Sequence, residues 1–191
     1  MSLGERQRWD QYFTEHAEAP FPAPDPLLLQ YTPPARIERN ERSRALDVAC
    51  GRGQNGLWLA EQGYSTDLID VSRVALTRAR DEAGRRGLRT LNFLLTDLDT
   101  PVFEPESADL ITVFRFLKRP LFPILRAALR PGGRIIYETF HTGYLHANPS
   151  FNAAFLLEPG ELAAQFADWR VLRSVEGEHT AQVVALKPTG R

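Results

Sequence analysis

Three glycines, Gly51, Gly53 and Gly56, stand in the spacing G-x-G-x-x-G within "LDVACGRGQNG", directly after a short apolar run. Glycine at such positions takes positive φ and lets the backbone approach a ligand closely, and the spacing is the fingerprint of dinucleotide binding. One residue does not suit a nicotinamide dinucleotide: Asp47 places a carboxylate beside the loop. That charge repels a pyrophosphate and suits a cation, such as a sulfonium or an α-ammonium group. Two more carboxylates follow at the ends of apolar runs. Asp70 closes "STDLID", 17 residues after Gly53, and a carboxylate there can accept both hydroxyls of a ribose. Asp97 closes "LNFLLTD", where it can accept from an exocyclic amine of adenine.

These residues need a scaffold that brings the ends of separate segments together. The runs "RALDVAC", "STDLID", "LNFLLTD", "ADLITVF" and "GRIIYETF" read as strands, and most are too continuously apolar for half-exposed positions. Helical segments alternate with them. "GLWLAEQ" ends at Gly63, Ser72 is an N-cap with Val71 and Leu76 as a staple across it, and Ala75, Leu76, Ala79 and Ala83 line one face of the next helix. "PLFPILRAALRPGG" reads as helix until Pro131-Gly132-Gly133, and "PGELAAQFA" as another. "WRVLRSVEG" and "TAQVVALKP" pair as a closing hairpin. The expectation is an α/β fold: a single doubly wound, mostly parallel, Rossmann-like seven-stranded sheet with a C-terminal antiparallel hairpin.

Residues 1–43 stand apart as a strap or lid. "RQRWDQYFTEH" predicts a short helix carrying Trp9, Tyr12 and Phe13, and the prolines of "APFPAPDP" and "YTPPAR" favour an extended surface segment. Residues 44–191 are then the ligand-binding domain. The 191 residues suit one domain, and a formal net charge of -1 gives no long-range attraction to nucleic acid or anionic lipid. A single cysteine, Cys50, allows no intrachain disulfide. With no signal-type apolar region in "MSLGERQRWDQYF" and no run of membrane-spanning length, the expected location is cytoplasmic.

Taken together, "LDVACGRG", "LIDVS", "LLTDLD" and "LRPGGRIIYETF" resemble the successive motifs of the class I S-adenosylmethionine-dependent methyltransferases, over residues 44–140. The chain as a whole, with "WDQYF" and "FRFLKRPLFPIL", looks most like the small bacterial tellurite-resistance-type members. The resemblance implies methyl transfer from S-adenosylmethionine, with S-adenosylhomocysteine as product, to a small-molecule acceptor. It places Asp47 and the glycine loop at the amino-acid end of the donor, Asp70 on its ribose, and Asp97 with Leu98 at its adenine. Ala49, Cys50, Gly51, Gly53, Val71, Phe114 and Arg115 complete the donor site. Where the family's first motif has glycine, this chain has Ala49, a mild departure if the backbone there is not strongly left-handed.

Acceptor chemistry falls to fewer residues. Arg115, after the fourth strand, can bind an anion through paired N–H groups, with Lys118 and Arg119 beside it or merely solvated. His141 has the intrinsic pKa of a base but no evident orienting partner. Glu138 precedes it, and Tyr144, His146 and Phe151 lie in a loop long enough to shape acceptor choice. A thiolate or an inorganic oxyanion, or a soft sulfur, selenium or tellurium nucleophile, would need little help from a base; an oxygen or nitrogen acceptor would need more. No His, Cys or Asp spacing suits a metal. Two other readings use the same residues: a nicotinamide-dependent oxidoreductase built on Gly51, Gly53 and Gly56, and a non-catalytic protein that keeps the donor site as a sensor. A nucleic-acid substrate is disfavoured by the charge and by the lack of an Asn/Asp-Pro-Pro-aromatic motif. Oligomeric state is not encoded in any motif.

Overall fold

The apolar runs are strands, in the order and number expected. The structure, a computed structural model, describes residues 3–37, 42–99, 101 and 103–190. Its strands are β1 (Arg44–Val48), β2 (Ser65–Asp70), β3 (Leu91–Leu95), β4 (Ala108–Phe114), β5 (Leu129–Phe140), β6 (Arg170–Glu176) and β7 (Thr180–Leu186). They form a seven-stranded sheet in the order β3-β2-β1-β4-β5-β7-β6. The helices are α1 (Leu3–Glu15), α2 (Pro26–Tyr31), α3 (Gln54–Glu61), α4 (Arg73–Arg85), α5 (Leu121–Ala128) and α6 (Glu161–Ala164). The chain divides between Val102 and Phe103 into two compact units.

In the first unit β1 pairs parallel with β2, and β2 with β3. Both inner strands are buried almost throughout, which is why they read as unbroken apolar runs. Asp67 interrupts β2, yet it is buried because Arg44 and Asn92 donate to its carboxylate at 2.6 and 2.7 Å from the flanking strands. β3 is an edge strand, and Leu94 and Leu95 remain 40% exposed. The Oγ of Ser72 accepts the Ala75 N–H at 3.1 Å, capping α4 as expected, and Ala75, Leu76, Ala79 and Ala83 are the face that α4 buries. The segment expected to be wholly extended contains α2, which starts on Pro26 at its first turn and buries Leu27 and Leu28.

In the second unit β4 pairs parallel with β5, and β5–β7 and β7–β6 are antiparallel. The closing hairpin is therefore present. Helix α5 stops at Ala128, short of the expected Pro131, because Leu129 already belongs to β5. The Pro131-Gly132-Gly133 turn lies inside that strand, with Gly132 at φ +77°, and the register with β4 shifts between Ala108 and Leu110. "PGELAAQFA" yields only the single turn α6.

Candidate functional site

The loop after β1 is held in an unusual backbone conformation by its sequence. Gly51 and Gly53 have φ of +54° and +81°, and Gly53 is the N-cap of α3. A Cβ on Gly53 would lie 2.5 Å from Leu68 Cδ2 and 2.9 Å from Ala79 Cβ, so glycine is required there by space as well as by φ. Ala49 has φ +55°. The backbone is left-handed where the family has glycine, so alanine is not the mild departure expected; it stores about 1 kcal/mol of local strain.

The three carboxylates have distinct surroundings. Asp70 is 7% exposed; its Oδ2 accepts the Gly51 N–H and its Oδ1 the Ser72 N–H, both at 2.8 Å. One side chain thus ties the glycine loop to the start of α4. Burial pushes the Asp70 carboxyl above its usual range, opposed by the N–H groups of Ser72, Gly51 and Val71 and assisted by nearby Asp10. Asp47 is 2% exposed, and its Oδ2 accepts the Gly56 N–H at 2.8 Å. Gly53 has no side chain with which to cap α3, and Asp47 supplies the missing acceptor in the first turn. Its carboxylate thus serves the first turn of α3. Asp97 is exposed and its Oδ1 accepts the Asp99 N–H at 2.8 Å, closing an Asx turn ahead of buried Leu98. Asp97 is brought to Asp70 through the backbone, since the Thr96 N–H donates to the Asp70 carbonyl.

Cys50 packs with Leu68, Leu76 and Ala79. Burial first, then Asp70 and Asp47, push its thiol well up, so it stays protonated and inert at neutral pH. Val71 is also buried in this unit.

Sequence reasoning missed four side chains at this junction, Asp10, Asp25, Arg52 and Asn55. Asp10 of α1 accepts from Ser72 Oγ at 2.6 Å and the Val74 N–H at 3.2 Å. Arg52 donates to the carbonyls of Ala19 and Pro20, and Asn55 exchanges two hydrogen bonds with Asp25. The ring of Phe13 comes within 3.4 Å of where a Cβ on Gly51 would stand, and it packs edge-on with Tyr12. No local pattern announces such pairs, because their partners are tens of residues apart. Trp9 joins the same ring cluster.

The second unit carries the remaining candidates. Phe114 is buried at the end of β4, and the exposed Arg115 has φ +53° and donates its N–H to the Glu138 carbonyl at 2.8 Å. Its guanidinium lies 5.9 Å from the Phe114 ring centroid. Glu138 accepts from Gln182, which in turn accepts from Arg173. Arg119 is held by Glu161 and by the carbonyls of Ala154 and Leu156. Both ring nitrogens of His141 are engaged: Nδ1 accepts the Gly143 N–H at 3.0 Å, which leaves the proton on Nε2, 3.0 Å from the Gly177 carbonyl. Phe140 and Tyr144 stack at 4.4 Å, with Phe151 edge-on to Tyr144 at 5.2 Å. His146 is exposed, its Nδ1 3.1 Å from the Gly143 carbonyl. Among the described residues no cluster of three or more His, Cys, Asp or Glu could hold a metal ion, and no helix is long and apolar enough to cross a membrane.

Comparison with known proteins points to methyltransferases. Residues 45–133 match the family model described as a methyltransferase domain. The chain is 30% identical over 141 residues to hemagglutinin 1 of Eikenella corrodens, covering 70% of this chain and 46% of that protein. It is 38% identical over 104 residues to aklanonic acid methyltransferase DauC of Streptomyces sp. (strain C5), covering 50% and 47%. The chain thus spans about half the length of these curated relatives. Among solved structures, TehB from Haemophilus influenzae superposes with a TM-score of 0.73 at 17% identity, covering 94% of this chain and 67% of that one. Through residues 45–133 the chain is thus similar to the S-adenosylmethionine-dependent methyltransferases.

Proposed function

We propose that this protein transfers the methyl group of S-adenosylmethionine to a small-molecule acceptor by in-line displacement. The observation that carries the reading is the buried Asp70 carboxylate bonded to Gly51 and Ser72. An ionised carboxylate has about four acceptor sites, and the N–H groups of Gly51, Ser72 and Val71 leave capacity for a ribose hydroxyl. Gly51 and Gly53 supply the left-handed backbone of the loop, and buried Val71 and Leu98 offer apolar surface for a base. When bound, the donor supplies a methyl group on a sulfonium, which is an excellent leaving group. The chain's own task is to hold, align and exclude water. Asp47, buried beside the loop, holds the Gly56 N–H and so fixes the start of α3 next to the donor.

For the acceptor, Arg115 is the residue suited to bind an anionic group, and its left-handed backbone is the kind of strain that accumulates at working sites. His141 orients the turn at 142–146 through backbone bonds to both nitrogens, and the proposed transfer needs no general base. Soft or already ionised acceptors, including sulfur, selenium and tellurium nucleophiles, fit a site without one. Titration calorimetry with S-adenosylmethionine, S-adenosylhomocysteine, NADH and NADPH tests the reading. Micromolar binding of the first two alone is expected; binding of a nicotinamide cofactor in their place would overturn it.

A further inference from the structure

Asn55 is an unassigned position of the glycine motif, the second residue after Gly53, yet its polar side chain is 3% exposed. A buried amide must have its hydrogen bonds met, and here one distant residue meets them. The Asp25 N–H donates to Asn55 Oδ1 at 2.9 Å, and Asn55 Nδ2 donates to Asp25 Oδ2 at 2.8 Å. Two antiparallel bonds between the same residues fix orientation as well as distance. Asp25 stands at the N-cap of α2, where an aspartate normally bonds its own helix, but its side chain makes no capping bond. The residue has been turned away from its local role towards the loop.

The rest of the segment converges on the same place. Arg52, between Gly51 and Gly53, donates to the carbonyls of Ala19 and Pro20 at 3.3 and 3.0 Å. Phe13 covers Gly51, and Asp10 holds Ser72 and Val74. Arg78 of α4 donates to the carbonyls of His16 and Ala17. The strap therefore grips the glycine loop at 51, 52 and 55, and the start of α4 at 72, 74 and 78. Those are the two backbone segments that the Asp70 carboxylate joins. Leu27 and Leu28, buried in the core, anchor α2 and so give the clamp a rigid base.

We infer that Asp25 and Asn55 form a positioning clamp through which the N-terminal strap fixes the glycine loop in its donor-binding conformation, which makes the strap a part of the donor site. The inference rests on the donor-site reading above. Asn55→Asp replaces a donor by a second carboxylate facing Asp25, whereas the swap Asp25→Asn with Asn55→Asp restores both hydrogen bonds with the roles exchanged.

The experiment uses the full chain, S-adenosylhomocysteine as the probe in calorimetry, and hydrogen exchange of residues 49–56 without ligand. Asn55→Asp is expected to bind about tenfold more weakly, and the swap to return within about threefold of wild type. Loop exchange should rise in the single variant and recover in the swap. Asp25→Ala, which changes a half-buried position, gives the same readout should Asn55→Asp not fold. A folded single variant with wild-type affinity and loop exchange, changed only in melting temperature, would make the pair a fold anchor and overturn the proposal. Failure of the wild type to bind the probe would refute the donor reading, and with it the strap's place in that site. The exchange data would still report whether the clamp holds the loop.

Discussion

Substitution of Gly53 by alanine is the sharpest test of why the loop has its sequence. At φ +81° a Cβ is strained, and the added methyl would also meet Leu68 at 2.5 Å and Ala79 at 2.9 Å. The left-handed backbone costs about 1–2 kcal/mol, and overpacking against a buried leucine and a helix methyl costs about 1–3 kcal/mol more. Reduced freedom of the unfolded chain returns roughly 0.4–1 kcal/mol. The net expectation is about 1–4.5 kcal/mol of destabilisation. Two other glycines separate the contributions. Gly87 has φ +69° with nothing within 4 Å, so Gly87→Ala carries the strain alone, about 1 kcal/mol net. Gly84, in α4 with open space and no positive φ, should stabilise by roughly 0.5–1 kcal/mol when replaced by alanine. Urea unfolding of the three variants, with constant m-values, measures the series. If Gly53→Ala costs no more than Gly87→Ala, Leu68 and Ala79 do not close on the loop as described.

Two further outcomes concern the chemistry. Asp70 must be ionised to accept ribose hydroxyls, and burial raises its pKa, so donor affinity should fall as pH drops through a value above the usual ~3.9. Stability moves oppositely in that window: the folded state holds the Asp70 proton more tightly, so its contribution diminishes as pH rises from the unfolded pKa through the folded one. Calorimetry across this range, with Asp70→Asn removing the dependence, checks both signs; an unchanged profile in the variant would refute the ribose assignment. Arg115→Ala should lower kcat about tenfold while leaving donor affinity nearly unchanged, because a charge-assisted contact to the acceptor is lost. Equal losses in steady-state kinetics and calorimetry would make Arg115 a donor-site or structural residue.

Much of the scaffold can be read directly from local pattern. Continuous apolar runs mark β1, β2 and β4 because both faces of those strands are buried, and Ser72 with the alanine stripe defines α4 before any tertiary contact is known. Boundaries shift where two signals compete. The helical pattern of "FPILRAAL" extends past Ala128, yet pairing of Leu129 with Ala108 claims that residue for β5. In the strap, proline content suggests an extended chain, but burial of Leu27 and Leu28 stabilises one and a half turns of helix after Pro26.

The candidate site divides in the same way. Gly51, Gly53, Asp70 and their spacing are local facts that the sequence alone determines, since glycine's freedom and a strand-end carboxylate need no partner to be recognised. Tertiary structure decides what each carboxylate does: Asp47 and Asp70 both end up buried, but one bonds to the first turn of α3 and the other joins two loops. It also decides that Ala49 is left-handed, because the closed loop between β1 and α3 imposes φ on whatever residue stands there. The Asp25–Asn55 pair spans 30 residues, and nothing in either neighbourhood specifies the other. Backbone preference acts over a few residues and is written in the chain; hydrogen-bond partnership across the fold depends on which surfaces packing brings together.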